Sequence, residues 1–160
     1  MIEVNVLGLM LDPSNSAPVV VLKQVDGEKV LPIWIGPVEA FAIQNGLEHS
    51  TPPRPMTHDL LCDMIKRMGG SVVKIEVNDL KDSTFFALIH IDRDGEQIVI
   101  DSRPSDAIAV SVRCNARIFV DEAVFDKVKK PDAKEGEEGE DKWEKLLTDL
   151  SPDAFGKYKM

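Results

Sequence analysis

The stretch Asp101–Val110, Asp-Ser-Arg-Pro-Ser-Asp-Ala-Ile-Ala-Val, decides how this chain is organised. A β-branched run, Ile98–Ile100, leads into it, and a run of small apolar residues leaves it. Proline is favoured in the first turn of a helix, where its missing N–H is not needed. A carboxylate in the same turn faces the positive end of the helix dipole. Pro104 and Asp106 therefore predict a strand that turns into a helix through a charged corner.

Two other stretches have the same character. Gly36 and Pro37, followed by Glu39, predict a helix that is capped by the glycine. The connector 50–56 holds three prolines and cannot form regular structure, and Thr57 after it is the predicted N-cap of the next helix. That helix has one apolar face, formed by Leu60, Leu61, Met64, Ile65 and Met68.

The remaining apolar runs predict strands. Met1–Leu11, Val19–Val25 and Val30–Ile35 predict one antiparallel meander, and the runs 73–78, 84–91 and 97–100 predict a second. Asp26-Gly27 and Asp94-Gly95 are typical of two-residue hairpin turns. Pro32 predicts that its strand lies at a sheet edge or contains a bulge. A last short strand, 117–120, and a short helix capped by Asp121 follow.

The fold class expected is α+β, with two antiparallel β-meanders packed with three main helices in one compact domain over residues 1–130. Residues 131–160 are expected to be an acidic C-terminal tail, with a linker up to position 141 that has no large apolar residue. A short amphipathic helix around Trp143, Leu146, Leu147 and Leu150 is expected to dock on the domain or on a partner.

Composition limits the function classes. The apolar fraction is 43% and no run approaches the roughly 20 apolar residues of a membrane span. The first residues resemble a strand rather than a signal peptide. Cys62 and Cys114 lie in helical patterns without a C-x-x-C partner, which predicts buried or half-buried thiols in a cytoplasmic protein. The net charge of −9 would not steer polyanions toward the domain.

Three motifs in this order resemble the bifunctional nuclease domain family of small bacterial, archaeal and plant proteins, long classed as a domain of unknown function. They are Leu31–Gly36 with Glu39 and Ala40, then Arg54–Leu60, then Asp101–Ile108. The similarity covers roughly residues 1–130. It implies an α+β domain and a nuclease activity on DNA and RNA, and it assigns no catalytic residues.

The candidate site follows from the chemistry of the three helix starts. Each carries one carboxylate, Glu39, Asp59 or Asp106, and a dipole-stabilising role is the plain alternative for each. If the helix starts meet in space, these oxygens would suit Mg²⁺ or Mn²⁺ and metal-assisted phosphodiester cleavage. His58 is the candidate general base. A histidine with one backbone hydrogen bond is the alternative, and Asp59 would not orient it because adjacent helical side chains diverge.

Arg54 and Arg103 precede prolines in polar turns, and their guanidinium groups suit phosphate recognition. An ion pair of Arg103 with Asp59 or Glu39 is the alternative. Ser105 is a further candidate for substrate contact, although Ser105 and Ser102 also suit helix capping. His90 is interpreted as a structural or a solvent-facing strand residue.

Two functions are therefore expected. The first is a nuclease acting on DNA or RNA through Glu39, His58, Asp59 and Asp106, with the two arginines on phosphate. The second is a non-enzymatic regulatory or ligand-binding module, whose polar corner holds a small anion, a metabolite or a protein segment. A homodimer is expected in either case, because both faces of 30–35 carry apolar residues.

Overall fold

Seven strands and four helices follow one another in the computed structural model of the chain, which describes residues 1–128. The strands are β1 (Ile2–Leu11), β2 (Pro18–Gln24), β3 (Val30–Trp34), β4 (Gly70–Lys81), β5 (Thr84–Arg93), β6 (Glu96–Ser102) and β7 (Arg117–Val120). The helices are α1 (Pro37–Leu47), α2 (Thr57–Arg67), α3 (Pro104–Cys114) and α4 (Glu122–Val128). The α+β class is confirmed, and the predicted tail 131–160 lies outside the described residues.

The two predicted meanders are the two halves of one mixed sheet. Its strand order is β3-β2-β1-β7-β4-β5-β6, in which β1–β3 and β4–β6 are each antiparallel. Strand β7 joins the halves, because it pairs antiparallel with β1 and parallel with β4. The backbone groups of β7 thereby form hydrogen bonds with the edges of β1 and β4, which would otherwise be open.

Both predicted hairpins are present, but only one has the predicted two-residue turn. Asp94 and Gly95 both have positive φ, 53° and 86°, between the paired ends of β5 and β6. This is the conformation that a two-residue turn between twisted strands requires. The turn at positions 26–27 is longer than predicted, because β2 ends at Gln24 and β3 begins at Val30. Pro32 lies in β3, an edge strand, as predicted.

Helices α1 and α3 begin with proline, as the sequence predicts. Gly36 is the N-cap of α1, and Arg103 occupies the N-cap position of α3 without a side-chain capping bond. The prediction that Ser102 and Ser105 cap α3 is wrong, because the Ser102 hydroxyl donates to the Arg103 carbonyl and Ser105 lies inside the first turn. Helix α2 starts one residue earlier than predicted, because Met56 rather than Thr57 is its N-cap.

The core lies mainly between the sheet and α3. Residues 107–110 of α3 are fully buried, whereas α2 has no buried residue. The face of α2 predicted from sequence exists, but Leu60, Met64 and Met68 on it are more than half exposed. Helix α2 is therefore a surface helix that contacts α3 and β4. No helix within residues 1–128 is long and apolar enough to cross a membrane.

Candidate active site at the starts of three helices

The starts of α1, α2 and α3 meet through four polar side chains. We call His58, Asp106, Arg103 and Glu39 the helix-start cluster. His58 is the second residue of α2, and its Nε2 lies 3.1 Å from Asp106 Oδ1 on α3. When Nε2 carries the proton, it donates to the carboxylate and leaves Nδ1 as the basic nitrogen. The imidazole is only 14% exposed.

Arg103 holds the cluster together. Its Nε and Nη2 donate to the two oxygens of Asp106 at 2.6 and 3.0 Å, which is a bidentate pair. Its Nη1 donates to Glu39 Oε1 at 3.0 Å, so one guanidinium links α1 to α3. The ion pair with Glu39 that the sequence offered as an alternative is present. The Arg103 side chain nevertheless remains 65% exposed.

The charges of the cluster nearly balance. Burial raises the pKa of Asp106, but the hydrogen bonds from Arg103 and His58 outweigh it and hold that pKa below its usual range. The Asp106 carboxylate in turn raises the pKa of Arg103. Both groups are therefore ionised at neutral pH, and with a neutral imidazole the four side chains carry one net negative charge.

Asp59 has a different partner. Its Oδ1 accepts a hydrogen bond from Arg113 Nε at 2.6 Å, and its Oδ2 accepts the Met56 N–H at 2.9 Å. Arg113 Nη1 also donates to the carbonyls of Ala42 and Ala109, so this guanidinium connects α1, α2 and α3. We call Asp59 and Arg113 the Arg113 clamp. As predicted, Asp59 does not orient His58.

Sequence reasoning missed Arg113. It is 10% exposed and occupies the last turn of α3, where a basic residue is ordinarily explained by the helix dipole. No motif marks it, because two of its three acceptors, Asp59 and the Ala42 carbonyl, come from distant parts of the chain. Burial of an arginine inside an acidic chain becomes visible only once the helices are packed.

The metal set predicted from Glu39, Asp59 and Asp106 stays a prediction that this geometry does not favour. Within residues 1–128 no three His, Cys, Asp or Glu side chains are arranged to hold one ion. Arg103 occupies oxygens of Glu39 and Asp106, and Arg113 occupies Asp59. The donor set as it stands does not fit a shared Mg²⁺ or Mn²⁺.

The other sequence candidates lie in defined places. Arg54 is exposed in the connector before α2 and pairs with no carboxylate of the described part of the chain. Ser105 is 7% exposed in the first turn of α3. His90 lies on β5 with its Nε2 3.1 Å from Glu76, away from the cluster. Arg54 is thus a cation near the start of α2 that an anion could reach.

A surface cavity of about 290 Å³ lies behind the clamp. It is lined by the clamp, by Cys62 and by the end of α1, and among its lining residues is His49. The helix-start cluster is not part of its wall. Helix α2 therefore carries both His58 of the helix-start cluster and Cys62 of the cavity wall.

Comparison with known proteins finds relatives of two kinds. The family described as Bifunctional nuclease domain matches residues 20–133. An uncharacterized protein of Mycobacterium tuberculosis (strain H37Rv) is 38% identical, over 96% of this chain and 97% of its own length. Bifunctional nuclease 2 of Oryza sativa subsp. japonica is 30% identical over 72% of this chain and 37% of its own. Bifunctional nuclease 2 of Arabidopsis thaliana is 30% identical over 66% and 34%.

The chain therefore spans about a third of the length of these plant relatives and nearly all of the mycobacterial one. All four residues of the helix-start cluster, and both residues of the Arg113 clamp, lie within the matched residues 20–133.

Proposed function

The chain belongs to the bifunctional nuclease domain family, and from that membership we propose that it is a hydrolase that cleaves phosphodiester bonds of DNA or RNA at the helix-start cluster. The observation that carries the proposal is the pairing of His58 with Asp106 at 3.1 Å beside the exposed guanidinium of Arg103. An oriented acid–base group next to a phosphate-binding group is what hydrolysis of a phosphodiester requires.

His58 acts as the general base. Asp106 accepts from Nε2 and fixes the ring, so Nδ1 takes the proton of the water that attacks phosphorus. A positioned general base contributes typically 10²–10⁴-fold to a rate. The carboxylate also stabilises the imidazolium that forms, and Asp106 is held for this role by the bidentate bond from Arg103.

Arg103 and Arg54 bind the phosphate. The Arg103 side chain is 65% exposed, so a phosphate oxygen can reach it while it stays bonded to Asp106. Arg54 supplies a second cation from the exposed connector before α2. Ser105, in the first turn of α3, is the candidate for a hydroxyl contact to substrate. Asp59 positions the start of α2 by accepting the Met56 N–H.

A requirement for Mg²⁺ or Mn²⁺ is a separate part of the proposal. Two carboxylates, Glu39 and Asp106, become available to one ion when Arg103 moves away from them. Asp59 stays bonded to Arg113 and contributes nothing to such a site. The steps assigned to His58 above do not depend on an ion.

The experiment is a cleavage assay of purified protein on single-stranded DNA, duplex DNA and RNA, each with Mg²⁺, with Mn²⁺ and with EDTA. Cleavage that survives EDTA assigns the chemistry to His58 and Arg103 alone. Cleavage that EDTA abolishes adds an ion at Glu39 and Asp106. Protein that cleaves none of the substrates under any condition contradicts the proposal.

One observation favours a second candidate function, a non-enzymatic module that binds a ligand at the same cluster. Arg103, Asp106 and Glu39 already satisfy one another, and the chain carries a net charge of −9. Such a site can exchange an internal carboxylate for that of a metabolite or a protein segment without turnover. Calorimetric binding of a nucleic acid or carboxylate ligand without any cleavage separates this module from the nuclease.

The proposal includes a cytoplasmic homodimer. Both cysteines are free thiols, which suits a reducing compartment. Strand β3 is a sheet edge, and Trp34 at its end is 44% exposed although its indole N–H donates to Asp12. An edge strand with an exposed aromatic residue is suited to contact with a second copy.

A further inference from the structure

The only two cysteines of the chain touch each other. Cys62 lies on α2 and Cys114 is the last residue of α3, separated by most of the second half of the domain. Their Sγ atoms are 3.2 Å apart. Both are free thiols and half-buried. The sequence predicts each cysteine as a helix residue but gives no sign of the contact.

The two cysteines extend the contact between α2 and α3 that starts at the His58–Asp106 pair. Cys62 lies one helical turn after His58, and Cys114 lies two turns after Asp106. Between them the Cys62 thiol approaches the Val110 carbonyl at 4.0 Å. We call this line of contacts the α2–α3 seam. A covalent bond in it would join the same two helices that hold the His58–Asp106 pair.

The surroundings of the two sulfur atoms suit thiol chemistry. The hydrogen bond with Cys62 and the charge of Arg113 together lower the pKa of the Cys114 thiol to about 7 against the effect of burial. The same contact raises the pKa of Cys62. Near neutral pH a substantial fraction of Cys114 is therefore thiolate beside the Cys62 thiol. Cys114 is itself partly exposed, and Cys62 beside it lines the surface cavity of about 290 Å³, so a reagent has room next to the pair.

We propose that Cys62 and Cys114 form a redox modification site, at which a small-molecule disulfide converts the two thiols into one intramolecular disulfide between α2 and α3. The sulfur atoms have to close from 3.2 Å to about 2.05 Å, a movement of about 1 Å. Helix α2 has no buried residue, so its packing offers little resistance to such a shift. The site does not depend on the nuclease function.

The reaction consists of two thiol–disulfide exchanges. The Cys114 thiolate attacks one sulfur of glutathione disulfide, whose S–S bond breaks, and one glutathione leaves and takes up a proton. The Cys62 sulfur then attacks the Cys114 sulfur of the mixed disulfide, gives up its proton and releases the second glutathione as a thiol. Two protein thiols are oxidised, and one glutathione disulfide is reduced to two glutathione thiols.

The experiment incubates the folded full-length chain with glutathione disulfide at neutral pH and follows it by intact mass, free-thiol titration and non-reducing peptide mapping. The wild type is expected to lose both thiols, to retain no glutathione and to yield a Cys62–Cys114 cross-linked peptide that dithiothreitol reverses. Cys62→Ser, which lacks the resolving thiol, is expected to retain one glutathione on Cys114. Wild-type protein that keeps both thiols, retains glutathione or cross-links between chains overturns the proposal.

Discussion

His58 Nε2 lies 3.1 Å from Asp106 Oδ1, and this contact joins the most buried helix of the domain to the least buried one. Asp106 is fixed on α3, whose next four residues are fully buried. His58 is carried by α2, which reaches the body through few contacts, among them the Arg113 clamp and the α2–α3 seam. The position of the proposed base therefore depends on groups that never touch a substrate.

The Arg113 clamp is expected to contribute strongly to stability. Arg113→Met removes the partner of Asp59 and of two carbonyls at a site where the guanidinium is 10% exposed. Leaving one member of such a pair without its partner costs about 3 kcal/mol of unfolding free energy. Urea denaturation followed by circular dichroism measures the loss. Arg54→Ala, an exposed arginine without an ion pair in the described residues, is the control and is expected to change stability by less than about 0.5 kcal/mol.

Equal effects of the Arg113 and Arg54 substitutions would show that the clamp does not hold α2 in solution. The same result would remove the argument that Asp59 positions the start of that helix.

The stability of the protein is expected to fall in acid. Burial raises the pKa of Asp59, but the hydrogen bond from Arg113 outweighs it and lowers that pKa below its usual range. The unfolded chain then takes up protons first as pH falls. The contribution of the Asp59 carboxylate to the free energy of unfolding is complete above about pH 5. It is lost as pH falls through about 4, the ordinary pKa of an aspartate, toward the lower pKa of Asp59 in the folded protein. Urea midpoints between pH 7 and pH 3 follow this loss.

Asp59→Asn is expected to flatten this pH dependence. Asp63→Asn is its matched control, because Asp63 is exposed on the same helix and pairs with no cation of the described part. The assignment fails if the two variants follow the same curve.

The sequence predicts the elements better than it predicts their packing. Proline at the start of two helices, glycine at a hairpin and proline in an edge strand are local requirements of the backbone, and they are found as predicted. The apolar face of α2 is also local, but its exposure depends on how much of it packs on α3 and β4. Periodicity alone does not report that packing.

The candidate site is likewise predicted only in part. The carboxylates at three helix starts follow from local patterns. Four of the predicted residues do meet, because Arg103 bonds Glu39 and Asp106 while His58 contacts Asp106 directly. Asp59 pairs with Arg113 instead, and these two residues lie 54 positions apart in the chain. The contact of Cys62 with Cys114 spans 52 positions. Neither pairing leaves a pattern in the linear sequence.

Oxidation of the two cysteines is expected to stabilise the fold. A disulfide that closes a loop of about 50 residues contributes about 4 kcal/mol in the chain-entropy account. Thermal denaturation of the oxidised and reduced wild type should show the higher midpoint for the oxidised form. Cys62→Ser, treated with the same oxidant, is expected to show no gain, and an equal rise in that variant would attribute the effect to something other than the cross-link.

The homodimer is expected to persist at micromolar concentration. Light scattering should give twice the chain mass of 17.7 kDa, because β3 offers an open edge beside the exposed Trp34. A mass of one chain under these conditions contradicts the dimer without affecting the nuclease proposal.

The central claim is that His58, held by Asp106, is the base of a nuclease. Its most direct measurement is the single-turnover cleavage rate of a labelled DNA or RNA strand by four proteins that share one circular dichroism spectrum. These are the wild type, His58→Ala, Asp106→Asn and the control Asp101→Asn, which changes an exposed carboxylate of β6 outside the cluster. We predict a loss of at least about 100-fold in the first two variants and a wild-type rate in the control. Wild-type cleavage by His58→Ala would contradict the claim.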